Sequence, residues 1–544
     1  MVGIQPLQLI PSLRIGHTNG HNIQSNEYKK LLSDINQDSL ENNLVSFKKF
    51  VEEVQAVTSL KQFSDWDTST FMPKDGSESR VWITSHLSKQ EHDILTSEKA
   101  TAYLEYFEQN HIFYNLDKVD QALVKELRIL YDRTKNISPH ILEQFVQAAT
   151  YAEATAYAEA TAIEANYHNK IAPALEKVIS TKRQIVEHMG YKDSPYTALL
   201  SIHEPEMTAS ELDKIFGKLK TELFPLIKLI NSSSKKIDTS FLNKYYKPSE
   251  QLKFCKSLLK KIGFDFSKGR LDRSSSSFSQ CVALNDVRLS INIYENNIYY
   301  TVITALHEGG HGLYELGLDP SLAKTPLFDG ASLGIHESQS RLYETIIGQS
   351  MPFWEYAFPK LQKQFPEQLK DISHEEFYKA INKVEAVPAF HSDEITSHIH
   401  IMVLFETEKA FTEGKLKAHE IPDFMNDKLK EYTGISYDNK FEVVLESSNW
   451  FSGDIGYFPT YTLGSLYAAQ FYNTIKKEIP NIEKQIASGK FSPLREWLRE
   501  KIHKYGRTET PSEIIKRVTG EPLNLDYFIN YIKEKYSKLY DIKL

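Results

Sequence analysis

The sequence predicts a mostly α-helical protein, built as one large helical domain with a small β-sheet. Apolar residues recur at three- and four-residue spacing along most of the chain. No linker rich in Pro, Gly or Ser interrupts the chain between Leu44 and Leu544. One segment, Asp286–Ile293, instead alternates apolar and polar residues, as a half-buried strand does. We therefore expect one helical unit, residues 45–544, preceded by an extension, residues 1–44.

Helical periodicity begins directly after the extension, which is rich in Asn, Ser and Gly and only weakly periodic. The residues Thr150–Thr161 repeat the letters AYAEAT, which resembles low complexity, but Ala and Glu favour helix. We expect a long packed helix there. The apolar positions that set the period elsewhere are Phe47, Val51, Val54 and Val57 in one segment and Leu123, Leu127 and Leu130 in another.

The predicted strand Asp286–Ile293 allows two interpretations. An edge strand at this place could pair with the backbone of an extended peptide. A short hairpin that shields one side of the core fits the same spacing.

Composition excludes several classes of protein. The chain has 544 residues, 41% of them hydrophobic and 25% charged, as in an ordinary globular protein. A net charge of -8 argues against a general nucleic-acid binder. The two cysteines, Cys255 and Cys281, exclude a disulfide-rich scaffold and fit a reducing compartment. No apolar run approaches the roughly 18–20 residues of a membrane span, and Met1–Ile10 lacks the basic start of a secretory signal. We expect a cytoplasmic protein without membrane or nucleic-acid partners.

The motif His307-Glu308-Gly309-Gly310-His311 carries the chemistry. Two histidines four residues apart lie on one face of a helix, close enough to bind one zinc ion, and the intervening Glu can take a proton from water. Gly in a helix interior costs about 1 kcal/mol relative to Ala, which is tolerated where something must approach the backbone closely. The motif therefore predicts a zinc hydrolase site.

A second segment supplies the acidic third ligand. Glu337 lies on another apolar-periodic stretch, so a neighbouring helix can bring its carboxylate to the metal. Glu337 and Arg341 are also spaced for an i,i+4 salt bridge, through which Arg341 would orient the ligand. His336 would point away from its neighbour on a helix, so it fits a role behind the ligands or in binding substrate.

Several ordered blocks of the chain resemble the carboxypeptidase Taq family of zinc metallocarboxypeptidases, from about residue 45 to the C-terminus. The blocks are Trp66-Asp67 through Arg80, Ser194-Pro195-Tyr196, Gly269 to Asp272, Asp286-Val287-Arg288, the H-E-x-x-H helix, Ser332 to Arg341, Gly456 to Gly464, Pro493 to Leu498 and Thr519 to Leu523. So many blocks in the same order are far more specific than the zinc motif alone.

The resemblance implies a mostly helical protein with a deep groove, usually a homodimer, that removes single residues from peptide C-termini with one zinc or cobalt ion. It implies that His307, His311 and Glu337 bind the metal and that Glu308 is the base and proton shuttle. Similarity to related helical metallopeptidases makes Tyr461 a candidate hydrogen-bond donor to the oxyanion, and Tyr457 a weaker candidate. A tyrosine packed in an aromatic-rich core is the alternative for Tyr461.

The chain departs from the family pattern where the family holds its substrate. Ser276-Ser277-Phe278 stands where the family has H-P-F. Ala389 stands at an Arg position ahead of Asp393-Glu394. A final block, G-x-x-Q-D-x-H-W in the family, is here represented by Val443, Glu446, Ser447, Asn449 and Trp450.

These departures affect the recognition of a C-terminal carboxylate, which Arg binds best through a bidentate pair. Arg288 remains as a candidate substrate-binding residue, and Arg273 is a possible replacement for the missing Arg. We expect an intact hydrolytic centre with altered substrate recognition. Two alternatives are an amidohydrolase or oligopeptidase for a modified peptide or acylated small molecule, and a catalytically silent zinc-binding protein.

Overall fold

The computed structural model describes residues 25–385, 393–437 and 439–543. It is 73% helical with one small three-stranded sheet, which confirms the predicted fold class. Within these ranges no helix is long and apolar enough to cross a membrane. Ala389 and the first 24 residues of the predicted extension lie outside the described residues.

Twelve helices precede the sheet in the described part of the chain. They are α1 Asn26–Gln37, α2 Leu40–Thr70, α3 Ser77–Leu95, α4 Glu98–Phe107, α5 Asn110–Phe113, α6 Lys118–Lys135, α7 Pro139–Glu159, α8 Ile163–Asn166, α9 Ala172–Met189, α10 Pro195–His203, α11 Ala209–Asn231 and α12 Pro248–Ile262. Several begin with a serine, threonine or aspartate whose side chain accepts a hydrogen bond from a first-turn amide, as in α1, α2, α6 and α11.

Part of the predicted extension belongs to the helical unit. Helix α1 and the first residues of α2 fall before residue 45. Tyr28 and Ile35 of α1 are buried, and the side chain of Asn43 donates a hydrogen bond to the carbonyl of Ile35 (2.7 Å). The described part of the chain therefore shows no structural break at residue 44.

The Ala-Glu repeat is helical, as its composition predicts. Helix α7 runs to Glu159 and a 3₁₀ turn covers Ala160–Ala162. Ala152 is fully buried, whereas Tyr151 and Tyr157 are 64% and 80% exposed. The helix thus packs through its small residues and presents its tyrosines to solvent.

The sheet has the strand order β1-β3-β2. Strand β1 is Gly269–Arg273, β2 is Phe278–Ala283 and β3 is Asp286–Ile291. β3 pairs with β1 in parallel and with β2 in antiparallel orientation. The predicted strand is therefore present and two residues shorter. The interpretation of Asp286–Ile293 as an edge strand is wrong, because β3 is the central strand and both of its edges are hydrogen-bonded.

Fourteen further helices follow in the described ranges. They are α13 Ile298–Gly317, α14 Leu333–Arg341, α15 Met351–Gln364, α16 Pro366–Leu369, α17 His374–Ile381, α18 Thr396–Thr412, α19 Ile421–Thr433, α20 Lys440–Glu446, α21 Asn449–Ser452, α22 Pro459–Glu478, α23 Ile482–Ala487, α24 Ser492–Lys501, α25 Pro511–Thr519 and α26 Asp526–Tyr540.

Helix α14 lies in close contact with α13 on one side and α22 on the other. A Cβ atom at Gly310 of α13 would lie 2.4 Å from the carbonyl oxygen of Gln339. A Cβ atom at Gly464 of α22 would lie 2.5 Å from the Cβ of Glu337. The two glycines therefore let three helix backbones approach more closely than any side chain would permit.

Helix α14 is held by side chains at its start and continues at its end into a further helical turn. At its start the side chain of Ser332 accepts from the amide of Ile335, and the buried Glu204 accepts from the amide of Gly334 (2.9 Å). At its end the chain continues as a π-helical turn, Leu342–Ile347. π-Turns inside helices occur often at functional sites.

We predict that Gly310→Ala and Gly464→Ala each lower the free energy of unfolding by about 1–3 kcal/mol or more, because the methyl group meets backbone atoms that cannot yield. Gly217→Ala is the matched control. Gly217 lies on α11, and a Cβ atom added there would have no neighbour within 4 Å. The free energy of unfolding of this variant should rise by up to about 1 kcal/mol, because Ala favours helix over Gly. Chemical denaturation of the three variants measures these changes. Equal stability of Gly310→Ala and Gly217→Ala would contradict the close approach.

Candidate metal centre and active site

Three side chains converge where α13 and α14 meet. His307 and His311 lie one turn apart on α13, and Glu337 lies on α14. Their ligand atoms lie within 4.8 Å of one another. The Nε2 atoms of the two histidines are 3.2 Å apart, and each is 3.6–3.7 Å from Oε2 of Glu337. The structure thus brings together the three residues that the sequence nominates as ligands, here called the triad.

This geometry fits one tetrahedral metal ion. Zinc binds imidazole nitrogen and carboxylate oxygen at about 2.0–2.2 Å, so tetrahedral donor atoms lie about 3.4 Å apart. The observed separations bracket that value. Three protein ligands leave a fourth position for water or substrate, as in catalytic rather than structural zinc sites.

Glu344 holds the first histidine. Nδ1 of His307 donates to Oε2 of Glu344 (2.8 Å), and the same oxygen accepts from Nη1 of Arg341 (2.7 Å). Burial alone would raise the pKa of Glu344, but Arg341 and His307 outweigh it and lower this pKa to about 2. The predicted salt bridge between Arg341 and Glu337 is therefore wrong. Arg341 pairs with Glu344 instead, and Glu344 orients His307.

His336 holds the second histidine. Nδ1 of His336 is 2.5 Å from Nδ1 of His311, and its Nε2 is 3.6 Å from Oε1 of Glu315. With Nε2 of His311 directed at a metal ion, the ring proton of His311 lies on Nδ1. That N–H group then donates a hydrogen bond to Nδ1 of His336. The structure thus places His336 in contact with a candidate ligand, which fits the first of the two roles considered for it.

Glu337 is held at both of its oxygens. Ser340 donates to Oε2 (2.8 Å), and the hydroxyl of Tyr457 donates to Oε1 (3.2 Å). Tyr457 is buried, and its hydroxyl therefore contacts a candidate metal ligand rather than an open substrate site.

Glu308 lies between the ligands on α13 and is 4% exposed. Its Oε2 atom is buried and accepts no hydrogen bond from the described residues. Burial raises the pKa of Glu308 to about 8, and the carboxylates of Glu337 and Glu315 add to the effect. A bound cation would favour its ionised form. The side chain is therefore available to a water molecule at the metal.

Tyr461 lines a cavity on the His307 side of the triad, together with Glu308. Burial raises the pKa of Tyr461 above its usual range, so its hydroxyl stays protonated and can donate a hydrogen bond. We call this cavity the tyrosine pocket. Its polar lining includes Ser277, Tyr294, Tyr299, Tyr300, His307, Glu308, Arg341, Glu344, Glu394, His398, His400, Glu446 and Tyr461.

A second cavity lies on the other side of the triad, and we call it the sheet-side cleft. Strand β2, an edge strand of the sheet, contributes Ser279–Ala283 to its wall. Helix α2 contributes Thr58 and Lys61, and His311, His336 and Glu337 form its floor. Members of the triad line both cavities: His307 lines the tyrosine pocket, and His311 and Glu337 line the sheet-side cleft.

The structure does not bring Arg288 to the triad. Its guanidinium pairs with both oxygens of Asp286 (2.8 and 2.9 Å) and lies 4.1 Å from the ring centre of Trp66. Arg288 thus joins the sheet to α2. Arg273 is exposed and faces Glu295 at 3.9 Å.

Four of the positions that depart from the family pattern fall into two groups. Ser277 and Glu446 line the tyrosine pocket. Ser447 and Asn449 make local contacts, with the carbonyl of Val443 (3.0 Å) and with Asp454 (3.3 Å).

Sequence reasoning missed Glu344 and Glu315. Glu315 lies four residues after His311, on the same helical face, and Glu344 lies seven after Glu337. Both spacings were available in the sequence, but they become informative only when the direction of each helix is known.

Comparison with known proteins agrees with this geometry. The family model described as carboxypeptidase Taq (M32) metallopeptidase matches residues 46–536. Carboxypeptidase 1 of Bacillus subtilis is 36% identical over 478 residues, which are 87% of this chain and 94% of that protein. Thermostable carboxypeptidase 1 of Thermus thermophilus is 34% identical over 92% of this chain and 98% of its own length.

Solved structures give the same result. The M32 carboxypeptidase from Deinococcus radiodurans R1 superposes with a TM-score of 0.86 at 28% identity, covering 92% of this chain and 100% of its own. The crystal structure titled BsuCP gives a TM-score of 0.87 at 33% identity, with the same coverage. The chain therefore belongs to the carboxypeptidase Taq (M32) family of metallopeptidases and is a hydrolase.

Proposed function

We propose that this protein is a zinc-dependent carboxypeptidase in which Glu308 is the general base. The observation that carries the proposal is the triad with three ligands, an open fourth position and the unpartnered Glu308 oxygen beside it. The donor set of two imidazoles and one carboxylate suits zinc, and cobalt is the second candidate. Relatives named carboxypeptidases support the reaction class.

A bound zinc ion supplies Lewis-acid polarisation of the scissile carbonyl and acidifies a water molecule. Glu308 takes a proton from the attacking water molecule while the water oxygen forms a bond to the carbonyl carbon. Glu308 then delivers that proton to the amine nitrogen as the C–N bond breaks. Tyr461 donates a hydrogen bond to the oxygen on which negative charge develops.

The two cavities support removal of a terminal residue. The free edge of β2 can pair with the backbone of an extended peptide along the sheet-side cleft. The tyrosine pocket holds about 280 Å³, just below the roughly 300–1,000 Å³ of small-ligand pockets. We assign the departing residue to this pocket because Glu308 and Tyr461, the side chains that would act at the cleaved bond, line it.

A second candidate is an amidohydrolase or oligopeptidase that acts on a modified peptide or an acylated small molecule. Ser277 and Glu446, which replace the family's proline and glutamine, favour it because they change the pocket for the departing group. A silent zinc-binding role is less well supported, since the fourth coordination position is open. A homodimer and a cytoplasmic location stay predictions from the resemblance and the composition.

We predict that Glu308→Gln lowers kcat by about 10²–10⁴-fold, because proton transfer in the transition state is lost. Zinc content, measured by plasma mass spectrometry, should stay at one ion per chain because Glu308 is not a ligand. Unchanged turnover of a free tetrapeptide would remove Glu308 from the mechanism.

Tyr461→Phe should lower kcat by about 10²–10³-fold through loss of the oxyanion donor. Tyr457→Phe is the matched control, since its hydroxyl contacts Glu337 and its removal should weaken zinc binding with a smaller effect on kcat at saturating zinc. Steady-state kinetics across a zinc titration separate the two. If both variants behave alike, Tyr461 has no specific role in the reaction.

His336→Ala should weaken zinc binding by about 10–100-fold, because His311 loses the group that orients it. Competition with a chromogenic chelator measures the zinc dissociation constant, and removal of zinc by chelation should abolish turnover of the wild-type protein. An unaltered dissociation constant in His336→Ala would rule out the orienting role.

A further inference from the structure

A carboxypeptidase must bind a free carboxylate on the departing residue, and the tyrosine pocket is where that residue lies under the proposed function. The Arg position of the family pattern is occupied by Ala389, outside the described residues. We propose that Arg341 binds the C-terminal carboxylate of the substrate in this protein, through its Nη2 group. This inference rests on the proposed function and assigns its substrate anchor.

The guanidinium of Arg341 has one open donor group. Its Nε atom donates to the hydroxyl of Ser465 (3.0 Å), and its Nη1 atom donates to Glu344 (2.7 Å). Nη2 has no hydrogen-bond partner among the described residues. The side chain is 11% exposed and lines the tyrosine pocket. The two bonds made hold the guanidinium in one orientation, so the third group is presented to the pocket without further loss of side-chain freedom.

Arg341 lies on the correct side of the metal for this role. It contacts Glu344, which contacts the ligand His307. His307, Glu308 and Tyr461 line the same pocket as Arg341. A residue departing from the metal into this pocket would therefore bring its carboxylate toward Arg341, while Glu308 protonates its amine nitrogen.

The other basic side chains near the pocket are not suited to this role. Burial lowers the pKa of His398 to about 3 and that of His400 to about 4, so both are neutral near pH 7. Lys535 donates to Glu394, Gln349 and Tyr531 and lies behind the pocket lining. Among the described residues that line the pocket, Arg341 is the only arginine, and there is no lysine.

A carboxylate on Nη2 is compatible with the existing pair. Glu344 accepts from Nη1 of Arg341 (2.7 Å), and the planar guanidinium carries five N–H donors, so it can serve carboxylates on two edges. A metal dication beside the pocket adds favourable potential for an incoming anion. A lysine would place one point charge on Glu344 and leave no donor edge for a second carboxylate.

The alternative is that Arg341 only positions Glu344, and through it His307. The two roles predict different losses. A positioning residue would weaken zinc binding and affect every substrate equally. An anchor would reduce the preference for a free carboxylate over an amide, whatever the chemical step.

The test measures binding, so it does not depend on turnover. Glu308→Gln supplies a zinc-loaded protein that cleaves its ligand about 10²–10⁴-fold more slowly, so that binding can be measured before turnover. Calorimetry compares tetra-alanine carrying a free C-terminus with tetra-alanine amide, in Glu308→Gln alone and with Arg341→Gln added. We expect the preference for the free acid to fall by about ten- to a hundredfold in the double variant, with little change in the affinity for the amide.

Two further variants keep the result decisive. Glu344→Gln removes the partner and leaves the guanidinium, so it should weaken zinc binding and keep the preference for the free acid. Arg341→Lys serves if Arg341→Gln loses zinc, and it should also lose the preference. A preference that persists in both Arg341 variants overturns the anchor. Wild-type protein that binds the free acid through Arg341 but cleaves no peptide would refute the proposed function and leave the anchor standing.

Discussion

The contact of three helix backbones at Gly310 and Gly464 is the constraint on which the rest of the site depends. Helix α14 is too close to α13 and α22 for any side chain to intervene at these two points. This closeness brings Glu337 within 3.7 Å of both histidine nitrogens. It also leaves His311 and Glu337 buried and His307 half-buried among helices, so that each side chain needs a partner to replace the water it has lost. Those partners are Glu344, His336, Ser340 and Tyr457.

Much of the fold and the site followed from local patterns in the sequence. The spacing of His307 and His311 fixes their relation because both lie on one helix, and Glu337 was the acidic residue on the next buried helix. The helical class followed from apolar periodicity. These features depend on residues close to one another along the chain.

What could not be predicted depends on contacts between distant segments. Alternation in Asp286–Ile291 marks a strand but not its neighbours, so its central place in the sheet was missed. Arg341 had two carboxylates within helical reach, and the packing of α14 turned it to Glu344 instead of Glu337. The composition of residues 26–43 gave no sign that Tyr28 would be buried against later helices.

The separation of the triad from the residues that depart from the family pattern has a consequence for how such enzymes diverge. Ser277 lies in the turn before β2 and Glu446 at the last turn of α20, while every ligand and every ligand partner lies on or beside α13, α14 and α22. Ser277 and Glu446 line the same pocket as His307 and Glu344, but they lie on segments that contribute no member of the triad and none of its partners. If the departing residue lies in this pocket, as proposed, the choice of leaving group can change through one set of chain segments while another set keeps the bond-cleaving groups in place.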